Sequence, residues 1–231
     1  MKKSIITKEI AELCGAILGD GHLHAKHNKI TITGSLEDIY YYKERLIPLF
    51  AKYFNGNIYL RKRKDKNSYY FWIENKNIIN FFLKIGFKRG NKSKSGIPLI
   101  FKNKSKFTCS FIRGLFDTDG CLKFSKQTKD YHYYPRIRLA FQESPLIYDL
   151  KIVLDNLNFK YGFSVDKRFG TACFEISGKD NLKKWMRLIG MNNPVHKSKY
   201  LFWKKFGKYI PYSTLSQRLK ALNLNIVNII K

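Results

Sequence analysis

Two nine-residue stretches of the sequence share one pattern. They read LCGAILGDG at residues 13–21 and IRGLFDTDG at residues 112–120. Each is an apolar, helix-like run with small residues four positions apart, and each closes with Asp-Gly. The final acids, Asp20 and Asp119, lie 99 positions apart in a chain of 231 residues. This spacing indicates one copy per half-molecule, with the two acids brought together at a pseudo-twofold axis.

Small residues at helical spacing line one face of each stretch. Gly15 and Gly19 are four apart, as are Gly114 and Thr118, so each pair lies on one side of a helix. Glycine costs about 1 kcal/mol in a helix interior, and its repeated use calls for a packing reason. We therefore expect these four residues to form a helix interface closer than the usual ~8–10 Å, with the two acids side by side at its end.

Two acids in that position predict a bound cation. A carboxylate is disfavoured at the negative C-terminal end of a helix, and two neighbouring carboxylates repel each other. A bound Mg²⁺ would offset both unfavourable interactions, because it is positively charged and binds carboxylate, carbonyl and phosphate oxygens. On a basic protein, the pair predicts metal-assisted phosphodiester hydrolysis. The alternative is that each Asp-Gly only terminates a helix.

The second half of the chain repeats the plan of the first. In each half, apolar residues at i, i+3, i+4 and i+7 predict a helix that ends in Ile-Gly, at 78–85 and at 182–189. Longer helices are predicted at Glu37–Tyr53 and Pro145–Leu157. The predicted strands are Lys29–Thr33, Asn57–Lys62, Tyr69–Ile73, Arg136–Phe141, Tyr161–Arg168 and Thr171–Ser177. Each half therefore has the order αββαββα, which gives an α+β fold of two pseudo-symmetric repeats.

The same comparison of the two halves sets the expected boundaries. The first repeat is assigned to residues 1–95 and the second to residues 107–210. Residues 96–106, which contain Pro98 and alternating lysines, are expected to be a linker. Residues 211–231 have no counterpart in the first half and are predicted to be a C-terminal helical extension.

Charge is the second strong feature of the composition. The formal net charge is +27, and Arg61–Lys106 contains 14 Lys and Arg residues against two acids. Such an excess is tolerated when a polyanion neutralises it, which favours nucleic acid over two alternatives, an anionic membrane surface or a lysine-rich genome bias. The sequence contains no run of 18 consecutive apolar residues, so it predicts no membrane-spanning helix. Four scattered cysteines without a CxxC pair, and an N-terminus unlike a signal peptide, favour reduced thiols inside a prokaryotic cytoplasm or an organelle matrix.

The paired stretches resemble the nine-residue motifs of the LAGLIDADG homing endonucleases. The order of helices and strands is also that of this family's half, and the resemblance extends over about residues 8 to 205. It implies a monomer whose two antiparallel sheets form a DNA-binding saddle, with the motif helices as the interface between the halves.

The resemblance also implies roles for particular residues. Metal ligands are implied at the last acid of each motif and at the carbonyl before it, which are Asp20, Asp119, Gly19 and Thr118. Asp20, Asp119, Lys92, Lys197 and Gln142 are the implied catalytic residues, with Mg²⁺ as the cofactor and Mn²⁺ as a substitute. The two lysines match the family's active-site basic position, and Gln142 matches a position that orders water. Its counterpart in the first repeat is either Gly34 or Ser35.

The strands are expected to read DNA through the face opposite their apolar one. The candidate DNA-binding residues are His22, His24, Lys29, Thr31, Thr33, Arg61, Arg63, Tyr69, Phe71, Trp72, Lys123, Arg136, Arg138, Lys167 and Arg168. A zinc site at His22 and His24 is the alternative, but strand residues are favoured because the four cysteines form no CxxC pair that would complete such a site. Because the halves differ, we expect an asymmetric target on the order of 20 base pairs. The resemblance implies cleavage of both strands across the minor groove, leaving short 3′ overhangs.

The leading functional hypothesis is a site-specific double-strand DNA endonuclease encoded by a mobile intron. The alternatives are an RNA maturase that binds intron RNA, or a catalytically inactive DNA-binding protein on the same scaffold. A general basic architectural protein would need no paired acids. We expect a free-standing protein rather than a domain embedded in an intein.

Overall fold

The computed structural model of the chain describes residues 6–64, 66–102 and 105–230. The predicted outer ends of the first repeat and of the C-terminal extension, and part of the predicted linker, lie outside the described residues. The described elements of the first repeat are α1 (Lys8–Gly19), β1 (Gly21–Leu23), β2 (Lys29–Ser35), α2 (Ile39–Tyr41), α3 (Ile47–Tyr53), β3 (Ile58–Lys62), β4 (Ser68–Glu74) and α4 (Lys76–Lys84).

The second repeat follows the same order and is extended at its C-terminal end. The short α5 (Leu99–Lys102) precedes it. Its elements are α6 (Ser105–Asp119), β5 (Gly120–Ser125), β6 (Tyr134–Gln142), α7 (Pro145–Asn156), β7 (Gly162–Asp166), β8 (Thr171–Ser177) and α8 (Lys179–Leu188). Three further helices complete the described chain, namely α9 (Pro194–Phe206), α10 (Leu215–Leu222) and α11 (Ile226–Ile230). The predicted α+β fold of two αββαββα repeats is confirmed.

Two local features differ from the expectation. A π-helical turn, Tyr42–Leu46, interrupts the predicted middle helix of the first repeat. It ends just before α3, where Pro48 has no N–H to donate to the helical ladder. The region expected to be a linker, residues 96–106, contains α5 and the first residues of α6, because Phe101 is fully buried and holds this segment on the core.

Each repeat contains a four-stranded antiparallel sheet of the same topology. The strand orders are β1-β2-β4-β3 and β5-β6-β8-β7. In β2, Ile30 and Ile32 are buried while their neighbours are not, so one sheet face packs on the helices and the other is open. We call this second surface of each sheet the open face. It carries His22, Lys29, Thr31, Thr33, Tyr59, Arg61, Tyr70 and Trp72 in the first sheet, and Cys121, Lys123, Arg136, Arg138, Gly162, Ser164, Asp166, Thr171, Cys173 and Glu175 in the second.

Helices α1 and α6 cross at glycines in the middle of the molecule. A Cβ added at Gly15 would overlap the carbonyl oxygen of Phe111, and one at Gly114 would overlap the carbonyl oxygen of Glu12. The two backbones are therefore in direct contact, which only residues without a side chain permit. The structure places Gly15, Gly19, Gly114 and Thr118 at this crossing, and one continuous hydrophobic core extends through both repeats.

A buried carboxylate ties the two repeats together beside the crossing. Glu12 of α1 is fully buried and accepts two hydrogen bonds from Arg45, at 3.0 and 2.7 Å. It also accepts one from Arg113 and one from Asn192, each at 2.8 Å. Although burial acts to raise the pKa of Glu12, these bonds and the two cations hold it below its ordinary value. Moving either repeat out of place would leave the buried carboxylate of Glu12 without one of its cations, which is strongly unfavourable. The ion pairs therefore hold the two repeats in one relative position.

The described residues contain no helix that is both long and apolar enough to cross a membrane.

The crossing predicts a large effect of the smallest side chain. We expect Gly15→Ala to lower the free energy of unfolding by about 1–3 kcal/mol, because the new Cβ meets backbone atoms that cannot rotate away. Helix propensity alone would make the alanine variant more stable. A decrease in stability would therefore show that the new Cβ clashes with the other helix. Urea unfolding followed by circular dichroism measures it.

The matched control is Gly162→Ala, where an added Cβ lies 3.9 Å from the nearest atom beyond its chain neighbours, the carbonyl oxygen of Glu175. A Gly15→Ala protein as stable as the wild type would show that the helices do not cross this closely in solution.

Candidate active site

The two motif acids stand where a helix turns into a strand. Asp20 is the C-terminal cap of α1, with its N–H donated to the carbonyl of Ala16 at 3.1 Å, and Asp119 is the last residue of α6. The following glycines begin β1 and β5, and a Cβ on Gly21 would lie 2.5 Å from the carbonyl oxygen of Ile17. The Asp-Gly pair thus lets the chain leave the helix at once and enter the sheet.

The close crossing brings the two acids together. A Cβ on Gly19, beside Asp20, would lie 3.2 Å from Oδ2 of Asp119. Burial, and then the negative charges of Asp119 and Asp38, raise the pKa of Asp20 to about 8. Burial also raises the pKa of Asp119, although Lys92 opposes the change. Both carboxylates are therefore poised to be neutralised by a proton or a cation.

Lys92 supplies a positive charge at this point. Its Nζ donates to the carbonyl oxygen of Leu18 at 2.9 Å and also to that of Gly19. These carbonyls belong to the last turn of α1, whose partial negative charge favours a cation. Burial lowers the pKa of Lys92 even though Asp119 and Asp20 act to raise it.

The donor set fits a hard divalent cation. The carboxylates of Asp20 and Asp119 lie close to the carbonyl of Gly19. In the structure the ammonium group of Lys92 is bound to that carbonyl. Carboxylate and carbonyl oxygens are the ligands that Mg²⁺ takes, usually together with water or substrate phosphate. Among the described residues, no cluster of three or more His, Cys, Asp or Glu side chains could hold a metal. Further ligands would therefore have to come from main-chain carbonyls, water or phosphate.

The second predicted lysine lies elsewhere. Lys197 is in the first turn of α9, and its Nζ donates to the carbonyl oxygen of Ile229 in α11. The charges that act on it are those of Asp117 and Arg45. The structure therefore brings Lys92 to the acids and does not bring Lys197 to them. The two basic runs look alike in sequence, but only the second is built into a helix.

The remaining predicted site residues are held by the protein around them. Thr118 Oγ1 donates within its own helix to the carbonyls of Gly114 and Leu115, at 3.1 and 3.0 Å. Gln142, at the end of β6, donates to Thr171 Oγ1 at 3.3 Å. In the paired registers Gln142 is equivalent to Ser35, not to Gly34, because Gln142 pairs with Thr171 as Ser35 pairs with Ser68.

Two residues that the sequence analysis missed lie beside Asp20. Tyr42 donates its hydroxyl to Asp20 Oδ2 at 3.4 Å. Asp38 accepts from the N–H and hydroxyl of Ser35, at 2.9 and 2.7 Å, and from Asn193 at 2.8 Å. Nothing in their local sequence distinguishes them, since only the packing of the middle helix against α1 brings them to the site.

Most of the candidate DNA-binding residues lie on the open faces. Asp20, His22, Lys29, Thr33 and Arg61 together line a cavity of about 740 Å³ in the first repeat. His24 joins this surface, with its Nε2 2.9 Å from Thr31 Oγ1. Arg63, Lys167 and Arg168 lie just beyond strand ends, and Arg168 pairs with Asp166 at 3.0 Å. Both sheets therefore carry cations on their open faces, and those of the first sheet line the same cavity as Asp20.

Two of the candidates were assigned to the wrong face. Phe71 is buried in the core and Tyr69 lies on the same side of β4. Side chains alternate along a strand, so an error of one position exchanges the faces. The predicted Trp72 does lie on the open face, where its aromatic neighbours are Tyr70 of β4 and Tyr59 of β3, which were not predicted.

Comparison with known proteins gives the same fold. A family model described as a LAGLIDADG-like domain matches residues 106–190. The homing endonuclease I-DmoI in complex with DNA and Mn is 20% identical, with a TM-score of 0.57 over 79% of this chain and 96% of that one. Full-length DUF199/WhiA from Thermatoga maritima is 17% identical, with a TM-score of 0.55 over 99% of this chain and 90% of that one. At these identities the likeness concerns the fold.

A curated protein is also similar in sequence. The replication factor C small subunit of Methanocaldococcus jannaschii is 31% identical over 119 residues, which are 51% of this chain and 6% of that protein. The chain thus spans only a small part of that relative.

The structure extends this likeness from the second repeat to the first. The second repeat matches the family model directly, and the first has the same motif, element order and sheet topology. The chain is therefore similar to a LAGLIDADG-like domain in sequence over residues 106–190, and similar to LAGLIDADG proteins in fold over both repeats.

The raised pKa of Asp20 predicts a dependence of stability on pH. Its pKa is about 4 in an unfolded chain and about 8 when folded, so between these values the folded state binds the proton more tightly. Raising the pH through this range therefore costs stability. In EDTA, we expect the stability of Asp20→Asn relative to wild type to increase from pH 5 to pH 8, and added Mg²⁺ to reduce the difference.

Thermal unfolding at several pH values measures this effect. Asp180→Asn, which alters an exposed acid in α8, is the control and should show no such trend. A constant difference between Asp20→Asn and wild type at every pH would contradict the account of the acidic pair.

Proposed function

We propose that the protein is a site-specific, divalent-metal-dependent endonuclease that cuts both strands of a long DNA target. The pairing of Asp20 and Asp119 at the helix crossing, between two cation-bearing sheets, is the observation that carries this proposal. The similarity to I-DmoI, whose solved complexes contain DNA with Mn or Ca, supports a DNA partner and a divalent cation. We further propose that Mg²⁺ is the natural ion and Mn²⁺ a substitute, and that a mobile intron encodes the protein.

The chain's own residues would divide the work of hydrolysis. Asp20 and Asp119, with the main-chain carbonyls of Gly19 and Thr118, would hold the cation. A bound Mg²⁺ supplies charge neutralisation for the phosphate and lowers the pKa of coordinated water. Lys92 would place its ammonium group beside the reacting phosphate, where a fixed positive charge favours the more negative transition state. Tyr42 would orient Asp20 through its hydroxyl.

The sheets would position the target. Their Lys and Arg residues neutralise phosphates and set the orientation of the duplex, whereas contacts with base edges give selectivity. The two open faces differ in nearly every side chain, which supports an asymmetric site. We propose a length on the order of 20 base pairs and products with short 3′ overhangs, and a monomer as the active form.

One observation favours a second candidate. Because Lys197 is directed to α11 and away from the acids, one half of the site has no lysine of its own in this structure. A nucleic-acid-binding protein without cleavage activity, acting on DNA or on intron RNA as a maturase, is therefore the alternative. The retention of both acids favours the endonuclease.

The first test uses the acids. The wild-type protein is incubated with a randomised duplex library in Mg²⁺ or in EDTA, and the cut ends are sequenced. We expect Mg²⁺-dependent breaks at one long asymmetric site. Asp20→Asn and Asp119→Asn should each reduce cleavage of that site by at least about 10²-fold, with binding in Ca²⁺ nearly unchanged.

Asp180→Asn provides the control for the loss of an acid outside the site. Efficient cutting by either motif variant would exclude the assignment of Asp20 and Asp119. Tight binding by the folded wild type without any breaks, in a library that contains the bound site, would favour the maturase or inactive-binder alternative.

The two lysines provide a second test. We expect Lys92→Met to slow cleavage far more than Lys197→Met, because only Lys92 reaches the end of α1 beside the acids. Methionine keeps the length of the side chain and removes its charge. Single-turnover cleavage of each strand measures the effect, and equal losses in the two variants would indicate that Lys197 moves to the acids when DNA binds.

A further inference from the structure

The two sheets carry different chemistry at one equivalent position. The position lies on an inner strand of each sheet, which is β4 beside β2 in the first repeat and β8 beside β6 in the second. Trp72 of β4 is opposite Thr31, and Glu175 of β8 is opposite Arg138. Thr31 and Arg138 are each followed by the residue that pairs with the glycine of the Asp-Gly motif, namely Ile32 with Gly21 and Leu139 with Gly120. Trp72 and Glu175 thus have the same place relative to the acids and lie at the centre of the open faces.

In the first sheet this place belongs to a stack of rings. Trp72 lies between Tyr59 and Tyr70, with ring centroids 5.0 and 5.4 Å away and interplanar angles of 22° and 18°. Lys29 and Arg61 lie over the indole at 4.9 and 5.3 Å. The centre of this open face is aromatic and positively charged.

In the second sheet the same place belongs to a carboxylate among three cations. Glu175 accepts a hydrogen bond from Arg136, and it pairs with Lys123 at 3.4 Å and with Arg138 at 3.7 Å. Partial burial acts to raise the pKa of Glu175, but Arg136 and Lys123 hold it below its ordinary value. The side chain stays ionised and 26% exposed.

This carboxylate can be approached from one side. The residue opposite Glu175 on the outer strand β7 is Gly162, where an added Cβ would lie no closer than 3.9 Å to any atom beyond its chain neighbours. The next open-face residue along β7 is the small Ser164. The equivalent positions in β3 are Tyr59 and Arg61, which fill the space beside Trp72. A base edge therefore has room to reach Glu175.

A carboxylate on a DNA-facing surface has a restricted choice of partners. It repels phosphates, and it accepts hydrogen bonds without donating any. In the major groove, guanine presents two acceptors, thymine presents an acceptor and a methyl group, and adenine presents an acceptor beside its amino group. Cytosine presents only its N4 amino donor there. Arginine is suited to the guanine of the same or a neighbouring pair, and two arginines adjoin Glu175.

We propose that Glu175 is a specificity-determining residue that selects a cytosine in the half-site bound by the second repeat. Trp72, at the same place in the first repeat, lacks an acceptor and gives no such selection. The inference rests on the proposed DNA function, since it names a base that the same protein recognises. It also assigns a purpose to an acid among the cations of a surface expected to bind phosphates.

The test measures binding, so it does not depend on cleavage. Wild type, Glu175→Gln and Asp166→Asn are each used to select duplexes from a randomised library in Ca²⁺, and the bound pools are sequenced. Asp166→Asn is the matched control, because it also removes one negative charge from the open face of the second sheet. Melting curves establish that all three proteins are folded.

We expect the wild-type pool to be enriched in cytosine at one position of one half-site. Glu175→Gln should reduce that enrichment at least about tenfold, equivalent to about 1.4 kcal/mol, without changing the other half-site. Asp166→Asn should retain it. Both variants should bind random DNA more tightly than wild type, because each loses a carboxylate that repels phosphates.

The outcomes separate this inference from the proposed function. A cytosine preference unchanged in Glu175→Gln would overturn the role of Glu175, whether or not the wild type cuts the selected site in Mg²⁺. A preference that disappears in Glu175→Gln would support it, even if no cleavage followed and the endonuclease proposal failed. A wild type that enriches no duplex sequence would overturn both.

Discussion

The direct contact between the backbones of α1 and α6 is the constraint on which the rest of the structure depends. Because Gly15 and Gly114 have no side chains, each helix lies against a carbonyl of the other. That contact sets the separation of the two acids that end these helices, and it places each following strand next to its acid. The buried bonds of Glu12 with Arg45 and Arg113 then hold the contact in one geometry.

The same constraint creates an electrostatic cost that a ligand can relieve. Asp20 lies at the negative end of a helix, partly buried and close to both Asp119 and Asp38, so its ionised form is disfavoured. In the structure the ammonium group of Lys92 covers the nearby carbonyls. A divalent cation would relieve the same repulsion more fully, and the unfavourable state of the free site would then favour binding of the proposed metal ion.

Sequence periodicity was sufficient for the fold and for the central pair of acids, and it failed where direction matters. The 3.6- and 2-residue patterns identify the helices, the strands and the glycines at the crossing. They could not fix the face of β4, where Tyr69 and Phe71 of the core side were predicted to bind DNA together with Trp72, and Tyr70 of the open face was left out. Nor could they show that Lys197 turns toward Ile229, because similar basic runs in the two halves enter a loop and a helix. Asp38 escaped notice because tertiary packing alone brings it to Asp20.

Pseudo-symmetry of the backbone does not extend to the surface that it presents. Equivalent positions place a tryptophan among stacked tyrosines in one sheet and a glutamate among arginines in the other. The crossing of α1 and α6 holds Asp20 and Asp119 next to each other, so substitutions in either helix disturb the acids of both repeats. Side chains on the open faces contribute little to the core, and substitutions there leave that frame intact. This separation of roles would allow two like folds to recognise the two unlike half-sites proposed above, with an indole at Trp72 and a carboxylate at Glu175 in equivalent positions.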